Sequence, residues 1–322
     1  MIGSWCFEGC YAKTCGMSSP AADKPLLGIL LMLGFCAVIP FADALAKLLG
    51  DRVPLLQMIL VRFGFQAFLL GPIALAMGAG LFPSARVARL TALRTVLHIA
   101  GLGMMFTALR FLPLADAVAI AFVMPFIMLL LGKYVLGEEV GPRRLAACAL
   151  GFVGTLLVVQ PSFAQVGWPA LLPLGVAVSF AFFMLVTRHI AKEIDPIALQ
   201  GASGLIALPL LLPLLALPQG EAALPVFAWL GLDAISWALL AAMGVAGVIG
   251  HLLMTWSLRF APAATLAPMQ YLEIPLATVV GFFFFAEWPN GLAAFGICLT
   301  IAAGLYIVVR ERALLRKAIA AP

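Results

Sequence analysis

The chain has 322 residues, of which 64% are hydrophobic and 10% charged. A soluble domain carries about 25% charged residues, so this chain cannot clothe a water-facing surface and its composition places it among integral membrane proteins. The net charge of +5 does not imply nucleic acid, because membrane proteins gather Lys and Arg in cytoplasmic loops for topological reasons.

In chain order, residues 1–24 form a leader holding Cys6, Cys10 and Cys15. No His or acid recurs there at metal-ligand spacing, so the leader reads as a cytoplasmic tail. It lacks the continuous apolar core of a signal peptide, and Met17 is a candidate start of translation. Ten apolar stretches follow, at 26–48, 55–79, 91–109, 114–136, 143–160, 168–188, 196–217, 235–257, 264–286 and 291–309. Each has the length expected of a membrane helix, which needs about 20 residues to cross roughly 30 Å of hydrocarbon. The joints are short and carry Pro or Gly, as at 50–54, 260–263 and 287–291. With the N-terminus in the cytoplasm, fifteen Lys and Arg fall inside, Arg86, Arg89 and Arg94 among them, and two, Arg52 and Arg110, fall outside. That asymmetry predicts an even number of spans with both termini cytoplasmic.

The chain also repeats itself. At an offset of 149 residues, Leu109-Arg110-Phe111 meets Leu258-Arg259-Phe260, Pro113 meets Pro262, Gly132 meets Gly281 and Glu138 meets Glu287. Lys47 and Arg188 close spans one and six. Five spans repeated once means that each copy enters the bilayer from the opposite side. The predicted fold is therefore an all-α membrane protein, ten transmembrane helices arranged as two inverted five-helix repeats. Its divisions are a cytoplasmic tail at 1–24, a first repeat at 25–160, a second at 161–312 and a second cytoplasmic tail at 313–322. Secondary transporters use this design, with the substrate near the midplane between halves.

Several stretches resemble one known family: Ala-Leu-Arg-Phe-Leu-Pro-Leu-Ala-Asp-Ala at 108–117, the mid-span Pro125, Gly137-Glu138 at a span end, and Gly-Phe-Val-Gly at 151–154. Together with Val-Pro-Leu-Leu-Gln-Met-Ile-Leu-Val-Arg-Phe at 53–63 and Ala-Lys-Leu-Leu at 46–49, they are similar to the EamA type of the drug/metabolite transporter superfamily. The resemblance covers about residues 25–312. It implies ten helices around a central cavity and a small-metabolite substrate. The Pro-Leu-Ala-Asp-Ala stretch and the Gly-Pro-Arg-Arg loop at 141–144 look closest to alphaproteobacterial members, which implies import of riboflavin or S-adenosylmethionine across the bacterial inner membrane. Export of amino acids or related metabolites is the alternative. Two departures stand out. The second half has Gly204 near where Arg62 would recur, and Pro275 is one residue out of step with Pro125.

Charges within apolar spans are costly and face a cavity or a partner. Asp43 and Lys47 lie four residues apart on one face of span 1, as a self-neutralising pair or as the lining of the outer mouth. Pro40 is expected to kink that helix. Arg62 lies about 12 Å inside span 2 at 1.5 Å per residue, with Asp43 its first candidate partner and a substrate carboxylate or phosphate the alternative. Glu273 is the deepest acid, with Gln270 on nearly the same face, and is the candidate to take up and release a proton. The competing reading is a structural acid bonded to a neighbouring helix. His98 and His251 read as interhelical hydrogen-bond partners or proton carriers. Tyr271, Trp256 and Phe41 are packing residues or a platform for a flat ring. Glu138 and Glu287 read as caps for a helix end or loop.

No HExxH, GxSxG, P-loop or Asp-rich motif occurs, so no enzyme activity, cofactor or metal is expected and ATP does not drive the chain from within. The expected function is secondary active transport of a small polar organic metabolite by alternating access, with the bilayer as surroundings and a proton as candidate coupling ion. A membrane-embedded enzyme and a non-transporting scaffold subunit are the readings of another class. A packed, dry interface between the halves would favour the scaffold.

Overall fold

In a computed structural model, the described residues are 24–138, 140–159, 167–217, 226–287 and 291–320. The leader with its three cysteines and Met17 lies outside them. Helices alone form the regular structure of the described residues. Eight are long and apolar enough to cross a membrane: α1 (Pro25–Leu49), α2 (Leu55–Ala76), α3 (Ala85–Ala108), α4 (Leu114–Val135), α6 (Leu172–Ile190), α7 (Pro196–Ala216), α8 (Ala234–Phe260) and α9 (Ala263–Phe285). Two more helices, α5 (Pro142–Val159) and α10 (Gly291–Ala320), pack against each other. Phe68 and Phe283 are 76% and 77% exposed, which suits side chains that meet lipid rather than water.

Local chemistry sets the ends. Helix α3 begins at Ala85, six residues before the apolar pattern does, because the Ser84 side chain accepts the Val87 N–H at 3.1 Å. That cap draws Arg86 and Arg89 into the helix that carries Arg94. Asp195 and Asp233 cap α7 and α8 in the same way, accepting from Ile197 N and Ser236 N. The bond to Ser236 also holds the Asp233 carboxyl below the usual carboxylate range. Helix α1 runs unbroken through Pro40. Helix α10 is continuous to Ala320, through most of the stretch expected to be tail.

Two spans are broken in the middle. Helix α4 stops at Ala121 and restarts at Met124, and α9 stops at Gln270 and restarts at Glu273. Pro125 and Pro275 sit in the first turn of the restarted segments, where a missing N–H and a fixed φ cost nothing. The expected bend at Pro275 therefore falls just before it.

The helices pair in a regular way: α1 with α8, α3 with α6, α2 with α7, α4 with α9 and α5 with α10. Adding or subtracting five from each number returns the same set of pairs. The first segment of α9 packs on the second segment of α4, and the second on the first, so these two broken helices run antiparallel. Helices α2 and α7 meet at Gly204, where an added Cβ would lie 2.8 Å from the Phe63 carbonyl oxygen. A glycine at that crossing lets the two backbones touch. At the same level α2 loosens into a π-helical turn, Gln66–Leu70.

Candidate functional site

A narrow cavity of about 60 Å³ lies at the centre of the bundle. Seven helices and both breaks supply its charged and apolar walls: Asp43 from α1, Arg62 from α2, Leu102 and Met105 from α3, Phe122 and Met124 from the break in α4, Phe180 from α6, His251 from α8 and Glu273 from the break in α9. The breaks matter here. A helix that stops and restarts presents the side chains of its new first turn inward, and Met124 and Glu273 are the first residues of their segments.

Asp43 is 7% exposed and Glu273 6% exposed. The expected salt bridge from Arg62 to Asp43 does not form, although both line the same cavity. The guanidinium instead reaches His251 Nδ1 at 3.1 Å and the Met243 carbonyl oxygen at 3.5 Å. It does so by lying across Gly247, where any Cβ would occupy the place of the guanidinium itself. His251, one turn along, holds its Nδ1 3.1 Å from the Gly247 carbonyl oxygen as well.

The remaining candidates lie off the cavity wall. Lys47 does not neutralise Asp43. It is drawn to Glu287, 2.6 Å away and 240 residues later, and to the Leu112 carbonyl oxygen at 3.1 Å. Gln270 is fully buried with its amide between the sulfurs of Met128 and Met184, 3.5 and 3.4 Å away. Tyr271 is fully buried, its ring packed against Gly151, with its hydroxyl 3.8 Å from Cys148 Sγ. Trp256 is half-buried on α8 and absent from the lining. Phe41 is 40% exposed and packs on Phe284. His98 sits behind the wall, stacked on His251 with ring centroids 4.3 Å apart. The two histidines come from different helices and unrelated sequence positions, so nothing in the sequence announces the stack.

Arg94, counted from sequence among the loop cations, is fully buried on α3. Its signal was available: it falls nine residues inside a helix that Ser84 caps.

At each end of the α4–α9 pair is a clamp. Glu138, at the end of α4, accepts the N–H groups of Ala263 and Ala264 at the start of α9 at 3.1 and 2.8 Å. Glu287, at the end of α9, accepts the N–H of Leu114 at the start of α4 at 3.1 Å. A carboxylate at a helix N-terminus satisfies free donors and meets the positive end of the dipole. Each glutamate also has a cation, Arg188 at 3.4 Å from Glu138 and Lys47 at 2.6 Å from Glu287. Each follows a residue of positive φ, Gly137 at 66° and Ala286 at 55°, which folds the chain back over the helix end. The helix α9 between the two clamps is 23 residues long, about 34 Å at 1.5 Å per residue, so the clamps hold opposite ends of the molecule.

The model of the EamA-like transporter family matches residues 26–160 and again 167–310. A riboflavin transporter of Rhizobium johnstonii is 32% identical over 68% of this chain and 69% of that protein. An S-adenosylmethionine uptake transporter of Rickettsia prowazekii is 24% identical over 84% and 88%, respectively. The pseudopaline exporter CntI of Pseudomonas aeruginosa is 29% identical over 90% and 96%. One solved crystal structure superposes with a TM-score of 0.66 over 90% of this chain and 98% of that one, at 19% identity, and so shares the fold. These relatives are named as transporters, not enzymes. This chain, a multi-pass bacterial membrane protein, belongs to the EamA-like transporter family.

Proposed function

We propose that this protein is a secondary transporter of the bacterial inner membrane that carries a small polar organic metabolite by alternating access, with both termini in the cytoplasm. The observation that carries the reading is the central cavity, walled by helices from both matched segments and lined by Asp43, Arg62, His251 and Glu273. The cavity disfavours a scaffold subunit, whose halves would pack dry. The division into halves at 25–160 and 161–312, ten membrane helices in all, rests on the doubled family match and on the helix pairing, which is unchanged when each helix is exchanged for the one five places away. The reciprocal glutamate clamps at opposite ends support inversion of one half relative to the other. Two near-equivalent halves can trade conformations, so that one clamp loosens while the other holds.

The cavity also bears on the substrate. Phe35, Phe122 and Phe180 line it and suit a flat ring. Asp43 and Glu273 suit a cationic centre, and Arg62 suits a carboxylate. A metabolite such as S-adenosylmethionine carries all three features, and riboflavin carries the ring alone. Import of the former class is our first reading, with riboflavin import second. Export is kept because the chain is also similar to a pseudopaline exporter. A proton on Glu273 is the proposed coupling ion.

Purified protein in sealed vesicles tests this. Labelled S-adenosylmethionine and riboflavin are offered from each face, with and without a pH gradient. Gradient-dependent accumulation of either, abolished by a protonophore, is expected. Correctly folded protein that moves neither compound, nor amino acids, in either direction counts against transport.

A further inference from the structure

A file of buried nitrogens leaves the cavity toward the end of the bundle where α3 begins and α6 ends. It starts at Arg62, bonded to His251, continues through His98, stacked on His251, and reaches Arg94 one helical turn away on α3. Arg94 is 0% exposed. Its Nε donates to Thr187 Oγ1 at 2.7 Å and its Nη1 to Ser203 Oγ at 2.6 Å, while Phe183 lies under the guanidinium, 4.3 Å from its centre. Among the described residues, neither Arg62 nor Arg94 forms an ion pair. Five nitrogens along the file have no hydrogen-bond partner among those residues: Arg62 Nε, His251 Nε2, both ring nitrogens of His98, and Arg94 Nη2.

A buried cation without a counter-charge costs several kcal/mol even after relaxation. A residue serving only to tie α3 to α6 and α7 could do so as a neutral amide, without that cost. The planar fork of Arg94 keeps one free arm beside two hydroxyls and an aromatic face, an arrangement suited to the oxygens of a carboxylate or phosphate. Phe180 and Phe183 pack around the two histidines and separate this arm from the cavity. We infer that Arg94, with Thr187 and Ser203, is a second binding station for an anionic group of the transported molecule, reached from the cavity when α3 parts from α6. The inference rests on the transport reading and narrows its substrates to molecules with a carboxylate or phosphate. Arg62 holds that group in the cavity, and Arg94 receives it on the way to the far face.

The test needs no identified substrate. In cysteine-free protein in sealed vesicles, a Ser203→Cys thiol reports on the station and a Met124→Cys thiol reports on the cavity. Each is treated with 2-sulfonatoethyl methanethiosulfonate and with its trimethylammonium analogue. Every rate is divided by that of free cysteine with the same reagent. From the face where α3 begins, the sulfonate is expected to modify S203C faster than the cation by about tenfold, an effect of local field. Arg94→Lys keeps the preference and Arg94→Gln removes it. If S203C does not accumulate, Thr187→Cys carries the same measurement. Equal rates for the two reagents, or an inert S203C beside a reactive M124C, overturn the station and leave transport standing. An M124C thiol inert from both faces overturns the station and the transport reading together.

Discussion

Helices α4 and α9 are alike at their ends and unlike in their middles. Each ends in a left-handed residue followed by a glutamate, and each glutamate caps the start of the other helix. Each breaks half-way and restarts on a segment with Pro in its first turn. The restarted segments open on different residues, however: Met124 in α4 and Glu273 in α9, both on the cavity wall. The shared ends tie the two helices to each other at both ends. The unshared middle is where α9 carries a charge that hydrocarbon penalises, and it is the charge to which we assign a role in the proposed transport.

Removing the charge that distinguishes α9 is expected to have the largest effect. Glu273→Gln should lower uptake on the order of 100-fold, the ~3 kcal/mol scale of losing one partner of a buried charged contact, with the protein still in the membrane. Wild-type flux and pH dependence in that variant would erase the functional difference between the two middles. Next is Gly247→Ala, whose methyl takes the place of the Arg62 guanidinium. It should weaken substrate binding about as much as Arg62→Gln does. The double variant should be no worse than either single one, because both remove the same contact. Additive losses in binding assays would show that Arg62 acts elsewhere.

The likeness of the ends can be tested separately. Glu138→Gln and Glu287→Gln should each cost about 1–2 kcal/mol, the scale of a lost helix cap with its dipole contact, and should lower Tm by similar amounts. A large inequality between them would break the equivalence of the clamps. The smallest effect concerns Ala286, which holds a positive φ where its counterpart is Gly137. Left-handed backbone costs a side-chain-bearing residue about 1–2 kcal/mol, so Ala286→Gly should raise Tm slightly with flux unchanged. Gly137→Ala should lower it.

The sequence shows the ends of this scaffold more clearly than its interior, for a physical reason. Glu138, Glu287, the prolines and the repeat offset are polar or rigid residues in an apolar text, so they stand out singly. Glu273 and Arg62 stand out for the same reason, and both line the cavity. The sequence does not show which way a helix is rotated. In a membrane protein both the lipid face and the packed face are apolar, so amphipathic periodicity carries little information. Hence the sequence offers Lys47 the acid one turn away or the outer mouth, where the structure pairs it with Glu287. It leaves Tyr271 between packing and a ring platform, where the structure packs it. It sets Gln270 beside Glu273, where the structure holds it between two sulfurs, and it does not show the His98–His251 stack. Arg94 lies three residues inside the apolar stretch 91–109, and its charge alone groups it with the loop cations Arg86 and Arg89; the Ser84 cap starts the helix ahead of all three. Gly204, marked only as a missing arginine, is the contact that lets α2 and α7 touch.

Alternating access at the cavity is tested most directly with the Met124→Cys thiol alone, in cysteine-free protein reconstituted in one orientation. An impermeant thiol reagent is applied to one face and, in a second sample, to the other. Alternating access predicts modification from both faces, slowed in each case when S-adenosylmethionine is present at a saturating level. Modification from one face only, however long the exposure, would contradict it.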